Sequence, residues 1–167
     1  MRYSVRVLTC LIMVFICQKA LGGVASGTLA VTANVGGVSN CVLGTVTNMI
    51  FPNYNSVDTN PDYATGSLTV TCVANLPYDV GVNQGQSAGA TEEHRMVTRV
   101  GGKQELNYAL YQDANHIHNY GTIIGQNTLH QLGTGSAQLI TIYGEIPINQ
   151  SVETGPYTDI VNILVTF

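Results

Sequence analysis

The chain has no tryptophan and very little charge: a tenth of its residues are charged, and only six are lysine or arginine. Half of those cations sit in the first twenty residues. Arg2, Arg6 and Lys19 flank an almost wholly apolar stretch from Val7 to Cys17, and Ala20-Leu21-Gly22 supplies the small residues of a cleavage position. This is the pattern of an export signal. The apolar stretch is too short to span a bilayer comfortably, which argues against stable membrane insertion. Cleavage is expected after Gly22, so residues 1–22 are read as a signal peptide. What remains carries Arg95, Arg99 and Lys103 against ten carboxylates, a balance of −7. Such a chain does not track a phosphate backbone, and nucleic acid is excluded as a partner.

Cysteine is equally sparse. Cys10 and Cys17 leave with the signal, and Cys41 and Cys72 remain. Two cysteines in an exported chain, neither in a Cys-x-x-Cys pair, point to one disulfide rather than a metal site. Closing a loop of that length restricts the unfolded chain by about 3–4 kcal/mol. The sequence after the signal also lacks any convincing amphipathic helix, internal repeat or linker, and its length suits one domain.

Short alternating runs separated by turn residues are what the sequence does contain, and they indicate an all-β sandwich or barrel. Gly66–Cys72 places Leu68, Val70 and Cys72 on one face. Pro77–Val82 aligns Tyr78, Val80 and Val82, and Leu106–Tyr111 aligns Leu106, Tyr108 and Leu110. Arg95–Val100 and Gln138–Ile146 are further strands, whereas 85–90 reads as loop and 112–135 as loop-rich. The last run, Asp159–Phe167, sets Val161, Ile163, Val165 and Phe167 on one face and is expected to be a strand without a neighbour on its free side. A matching run precedes the domain: Thr28–Val35, with Leu29, Val31, Ala33 and Val35 on one face. A vacant place at the back and a spare strand at the front suggest a subunit that lends its strand to a neighbour. The expected organisation is therefore a donor-strand segment at 23–38 and a β domain at 39–167.

Side chains that carry chemistry are present but not arranged for it. His116 and His118 have a spacing that can chelate on a strand, yet Asp113-Ala-Asn-His-Ile-His-Asn119 reads as a polar loop, and no third ligand is placed beyond a distant His130. Ser136 lacks the Gly-x-Ser-x-Gly setting of a nucleophile. Glu92 and Glu93 are adjacent and would point to opposite faces of a strand. Arg95, Arg99 and Lys103 are read as a solvated face, and the tyrosines as half-buried strand residues rather than a sugar-stacking surface. No catalytic residue, metal or cofactor is expected, and enzyme activity is not.

Taken in order, these segments resemble the spore coat protein U family, which includes subunits of archaic (Csu-type) chaperone–usher pili. The resemblance rests on Cys41 soon after the front strand, Gly66-Ser-Leu-Thr-Val-Thr-Cys72 and Leu106-Asn-Tyr-Ala-Leu-Tyr-Gln-Asp113. It continues through Tyr143-Gly-Glu-Ile-Pro147 and Gly155-Pro-Tyr-Thr-Asp159 to a terminal apolar strand. Phe51-Pro52 stands where the family has Phe-Gly. The resemblance implies an incomplete immunoglobulin-like sandwich lacking its last strand, with Val161, Ile163, Val165 and Phe167 at the groove. It implies as partners a periplasmic chaperone that fills the groove and contacts the Phe167 carboxylate, an outer-membrane usher, and neighbouring pilus subunits whose Leu29, Val31, Ala33 and Val35 replace the chaperone. The expected role is a pilus subunit at the cell surface, serving attachment and biofilm formation. Rival expectations are a coat protein secreted by the same machinery and a self-complete carbohydrate-binding sandwich.

Overall fold

The computed structural model describes residues 40–167; the donor-strand segment and the signal lie outside them. Among the described residues there are nine strands and no helix. They are β1 (Cys41–Thr47), β2 (Asp62–Cys72), β3 (Pro77–Val82), β4 (Arg95–Arg99), β5 (Glu105–Tyr111), β6 (Leu129–Leu132), β7 (Ala137–Ile146), β8 (Tyr157–Thr158) and β9 (Ile163–Thr166). A sheet ordered β1-β2-β7-β5-β4-β8 faces a smaller one ordered β6-β3-β9, and every pairing is antiparallel.

The alternation in the sequence sets the inward faces. Leu68, Val70 and Cys72 of β2 meet Tyr78, Val80 and Val82 of β3 across one core, completed by Leu106, Tyr108 and Leu110 of β5 and by Ile140, Ile142 and Ile146 of β7. β2 and β7 pair without interruption from Asp62↔Ile146 to Thr71↔Ala137, forming the spine of the larger sheet. Cys41 and Cys72 are bonded, Cα atoms 4.0 Å apart, and are also register partners of β1 and β2. β1 is otherwise poorly covered: beyond Cys41 every residue in it is exposed.

Three expectations need correction. β6, not anticipated as a strand, lies inside the loop-rich stretch, where Leu129-His-Gln-Leu132 pairs with β3 and His130 Nδ1 lies 3.2 Å from Asp79 Oδ2. The last strand is shorter than its alternation, covering only Ile163–Thr166. Before it, side chains take over the backbone's partners: Asn83 Oδ1 accepts from the Asn162 amide at 2.8 Å, and Asp159 Oδ1 from the Ile160 amide at 2.8 Å. Finally, Arg95 is not on a solvated face. It is wholly buried, and its guanidinium donates to the carbonyls of Val82, Asn83, Glu92 and Tyr120. Those carbonyls belong to the end of β3 and two loops, so one side chain ties β4 to the opposite sheet.

Candidate functional site: an open groove

β9 pairs with β3 on one side only, and β1 with β2 only, so each is an edge strand among the described residues. Between the end of β1 and the start of β9 runs a groove of about 1250 Å³. Its floor is the inward face of β5 and β7, including Leu106, Tyr108, Leu110, Ile142 and Ile146. One flank is Val46–Ser56, the other Val152–Val161 with Ile163. A void of this size is foreign to a close-packed interior, where gaps larger than a water molecule are few.

The first flank is shaped from below. Gly144 of β7 lies directly beneath Met49 and Phe51; a Cβ there would overlap the Met49 sulfur and lie 2.7 Å from the Phe51 ring. Bare backbone at this point lets both side chains lie over the sheet, with Phe51 edge-on to Tyr108 at 6.3 Å. Farther along, Tyr54 reaches the opposite flank, its hydroxyl accepting from the Gln150 amide at 2.8 Å.

The second flank is fastened by Asp159. Its Oδ2 accepts from the Tyr108 hydroxyl at 2.6 Å and its Oδ1 from the Gln86 amide at 2.9 Å. Burial, reinforced by that hydrogen bond and the Asp159 charge, pushes the Tyr108 pKa well up, so the phenol stays a donor. The chain passes here from β8 in the larger sheet to β9 in the smaller one, and the aspartate fixes the crossing. Glu92 plays a similar part near Arg95. Burial pushes its carboxyl up, but hydrogen bonds from Thr122 and Asn127 and the Arg95 charge outweigh it and hold the pKa below the usual range.

Of the residues expected at the groove, Val161 and Ile163 line it, half-buried and packed on the core. Val165 is also half-buried but sits farther along β9, paired with Val80. Phe167 follows the last ladder pair, Thr166↔Asp79, and is 56% exposed. The structure therefore brings two of the four to the cavity. Leu29, Val31, Ala33 and Val35 lie outside the described residues. Reasoning from the sequence missed Met49, Phe51 and Tyr54 as a flank, because they occur in a segment rich in Asn and Pro with no alternation.

The histidines do not converge. His116, at φ +55°, packs against Tyr63, Tyr111 and Tyr143, while His118 Nδ1 lies 3.1 Å from Asp113 Oδ2. Among the described residues no three His, Cys, Asp or Glu side chains are grouped to hold a metal. Tyr54, Tyr111, Tyr143 and Tyr157 are half-buried as expected and Tyr63 is half exposed, whereas Tyr78, Tyr108 and Tyr120 are core residues.

Comparison with known proteins bears on the family and the fold. The Spore Coat Protein U domain matches residues 25–164. Protein U of Myxococcus xanthus is 30% identical over 162 residues, an alignment spanning 90% of this chain and 89% of that protein. Among solved structures, the chain resembles the CsuC-CsuE chaperone–tip adhesion subunit pre-assembly complex from archaic chaperone-usher Csu pili of Acinetobacter baumannii, with a TM-score of 0.54 and 18% identity. That match covers 76% of this chain but only 39% of the matched chain, so the present sequence spans well under half of it. At that identity the likeness concerns the fold.

Proposed function

The chain belongs to the Spore Coat Protein U domain family, and from that premise we propose that it is a structural subunit of a surface fibre, exported and polymerised by donor-strand exchange through the chaperone–usher route. The observation that carries this reading is the groove: a large cleft with an apolar floor and mixed flanks, one of which leads into β9, an edge strand. An added strand would find backbone partners along the sheet edge and pockets for alternate side chains. Left uncovered, the same edge invites aggregation, which is the reason to expect a chaperone before assembly. Leu29, Val31, Ala33 and Val35 of a neighbouring copy are the proposed fill. Burial of Leu29, Val31 and Val35 contributes roughly 1.5–3 kcal/mol each, and Ala33 less. Val161 and Ile163 receive the strand from the β9 side, and Val165 and Phe167 extend the contact toward the chaperone. Attachment and biofilm formation are the proposed service of the fibre.

The test is to express the full chain in a periplasm with and without its chaperone and to compare unheated with boiled samples in detergent. Chaperone-dependent recovery and an unheated ladder that collapses on boiling are expected. Val31→Asp should abolish the ladder while leaving chaperone capture intact, since the charge then meets the apolar floor of a neighbour's groove. A soluble monomer needing no chaperone would overturn the proposal. The family's description as a coat domain favours a second reading, a deposited layer rather than a fibre; electron microscopy of the assembled product separates the two.

A further inference from the structure

The outer face of the larger sheet lies on the other side of β7 from the groove floor, so a strand taken into the groove leaves it open. Leu68, Val70 and Cys72 of β2 and Ile140, Ile142 and Ile146 of β7 point into the core. Two-residue alternation turns the residues between them outward. Register seats Thr71 between Val42 and Ala137, and Ser67 between Thr47 and Thr141. Leu139 stands beside Thr69, and Tyr143 beside Thr65. Gly44 leaves room for the Thr69 hydroxyl to lie across β1, where a Cβ would overlap it. Leu139 is 70% exposed and Val42 49%, and Thr47, Thr65, Thr71 and Ala137 are exposed as well.

Charge sets these rows apart. None of the ten carboxylates of the chain falls in them. The first on this face of β7 is Glu145, one row beyond Tyr143 and opposite Tyr63. Of the three cations outside the signal, Arg95 is buried and Arg99 pairs with Glu153 at 3.3 Å, so neither is free to meet a partner's carboxylate. Two copies of such an acidic chain repel in most orientations, but they meet without like-charge contact where these faces oppose. Threonine hydroxyls both donate and accept, so the patch can match a copy of itself turned about a two-fold axis. A cationic partner would be drawn to the carboxylates elsewhere. At about 4.8 Å between strands and 3.4 Å per residue, three strands by seven residues cover roughly 350 Å². A stable pair needs about 800 Å² per partner. One patch is too small to join free subunits, whereas a row of patches along a fibre multiplies the contact.

We propose that the outer face of β1, β2 and β7 is a lateral contact between neighbouring fibres, in which each subunit meets the same face of a second copy. Such a contact rests on the fibre reading above, and two readouts keep the two apart. The unheated detergent ladder reports joints within a fibre. Negative-stain electron microscopy and low-speed pelleting report fibres lying side by side. Fibres of the full chain are compared at about 0.05 and 0.5 M salt, a range over which screening shortens the repulsion between carboxylates. Side-by-side pairs are expected, and more of them at high salt. Leu139→Glu and Thr71→Glu set like charges against each other at every contact, so each should cut the pelleted fraction roughly tenfold or more with the ladder intact. Val100→Glu makes the same charge change at a 56% exposed residue between β4 and β5 and should leave pairing unchanged. Single fibres at both salts with an intact ladder would overturn the lateral contact alone, as would pairing indifferent to both face variants or an equal loss in Val100→Glu. Absence of the ladder in the wild type would overturn the fibre reading and the lateral contact with it.

Discussion

The half of the sandwich built on β1, β2 and the start of β7 and the half built on β4, β5 and β9 are held by different forces. In the first, Leu68, Val70 and Cys72 are at most 1% exposed, the β2–β7 ladder is unbroken, and a disulfide closes the end. Apolar burial and a covalent link do the holding. In the second, the core residues of the groove floor keep 3–7% exposure and their flanks are half-buried. There the sheets are joined by directional polar bonds: Arg95 to four carbonyls, and Asp159 to Tyr108 and Gln86. Apolar contact is non-directional and would draw the flanks together. Hydrogen bonds of fixed geometry hold two sheets at a set spacing, which is what an open groove between them requires.

That contrast can be broken most severely at Arg95. Arg95→Met keeps much of the volume but strands four carbonyls, two of them in buried bonds, and at roughly 1–3 kcal/mol for each buried acceptor it should destabilise the chain by about 3–5 kcal/mol. Chemical denaturation, with mutant and wild type in the same assembly, reads this loss. A smaller loss would mean that the groove half is held by packing after all. Next comes the covalent support of the closed half. Cys41→Ala with Cys72→Ala should cost about 2–4 kcal/mol while leaving the proposed strand uptake intact when no load is applied, because the bond lies at the end of β1 away from the groove. Loss of uptake in that double variant would show that the halves are not separable.

The finest test is pH. Glu92 has its pKa lowered in the fold, so its contribution is complete above the unfolded value near 4.5 and disappears as pH falls through the lower folded value. Stability should decline below that point, and Glu92→Gln should flatten the decline with a smaller overall effect than either change above. Thermal unfolding followed from neutral to acid pH checks it.

The regularly paired strands were the legible ones, in both halves. β2, β3, β5 and β7 announce themselves by two-residue alternation, and their inward residues are the core. The resemblance to coat protein U subunits held over the whole match. Less was legible where side chains replace regular pairing. Alternation through Asp159–Phe167 extends beyond β9 because Asn83 and Asp159 take hydrogen bonds that a ladder would have supplied. β6 is short and polar and is recognisable only through its partner β3. Arg95 carried a usable signal: it shares a strand face with Val97, which packs on the core, so parity points it inward. Charge suggested otherwise, and parity won because four carbonyls await the guanidinium. The groove flank at Met49–Tyr54 had no periodic signal at all, being shaped by the bare backbone of Gly144 on a strand nearly a hundred residues later.

The position of the disulfide also matters for a chain under tension. Cys41 and Cys72 pair at the end of β1 where the polypeptide enters the domain. A pull applied from the N-terminal side reaches Cys41 and passes through sulfur to Cys72, before any hydrogen bond between β1 and β2 bears load. Residues 42–71 then form a slack loop outside the line of force. Without the bond, an edge strand such as β1 would peel away one pair at a time, carrying Met49 and Phe51 with it. With the bond, that flank of the groove keeps its shape under strain, as a buckle spares the cloth beneath it.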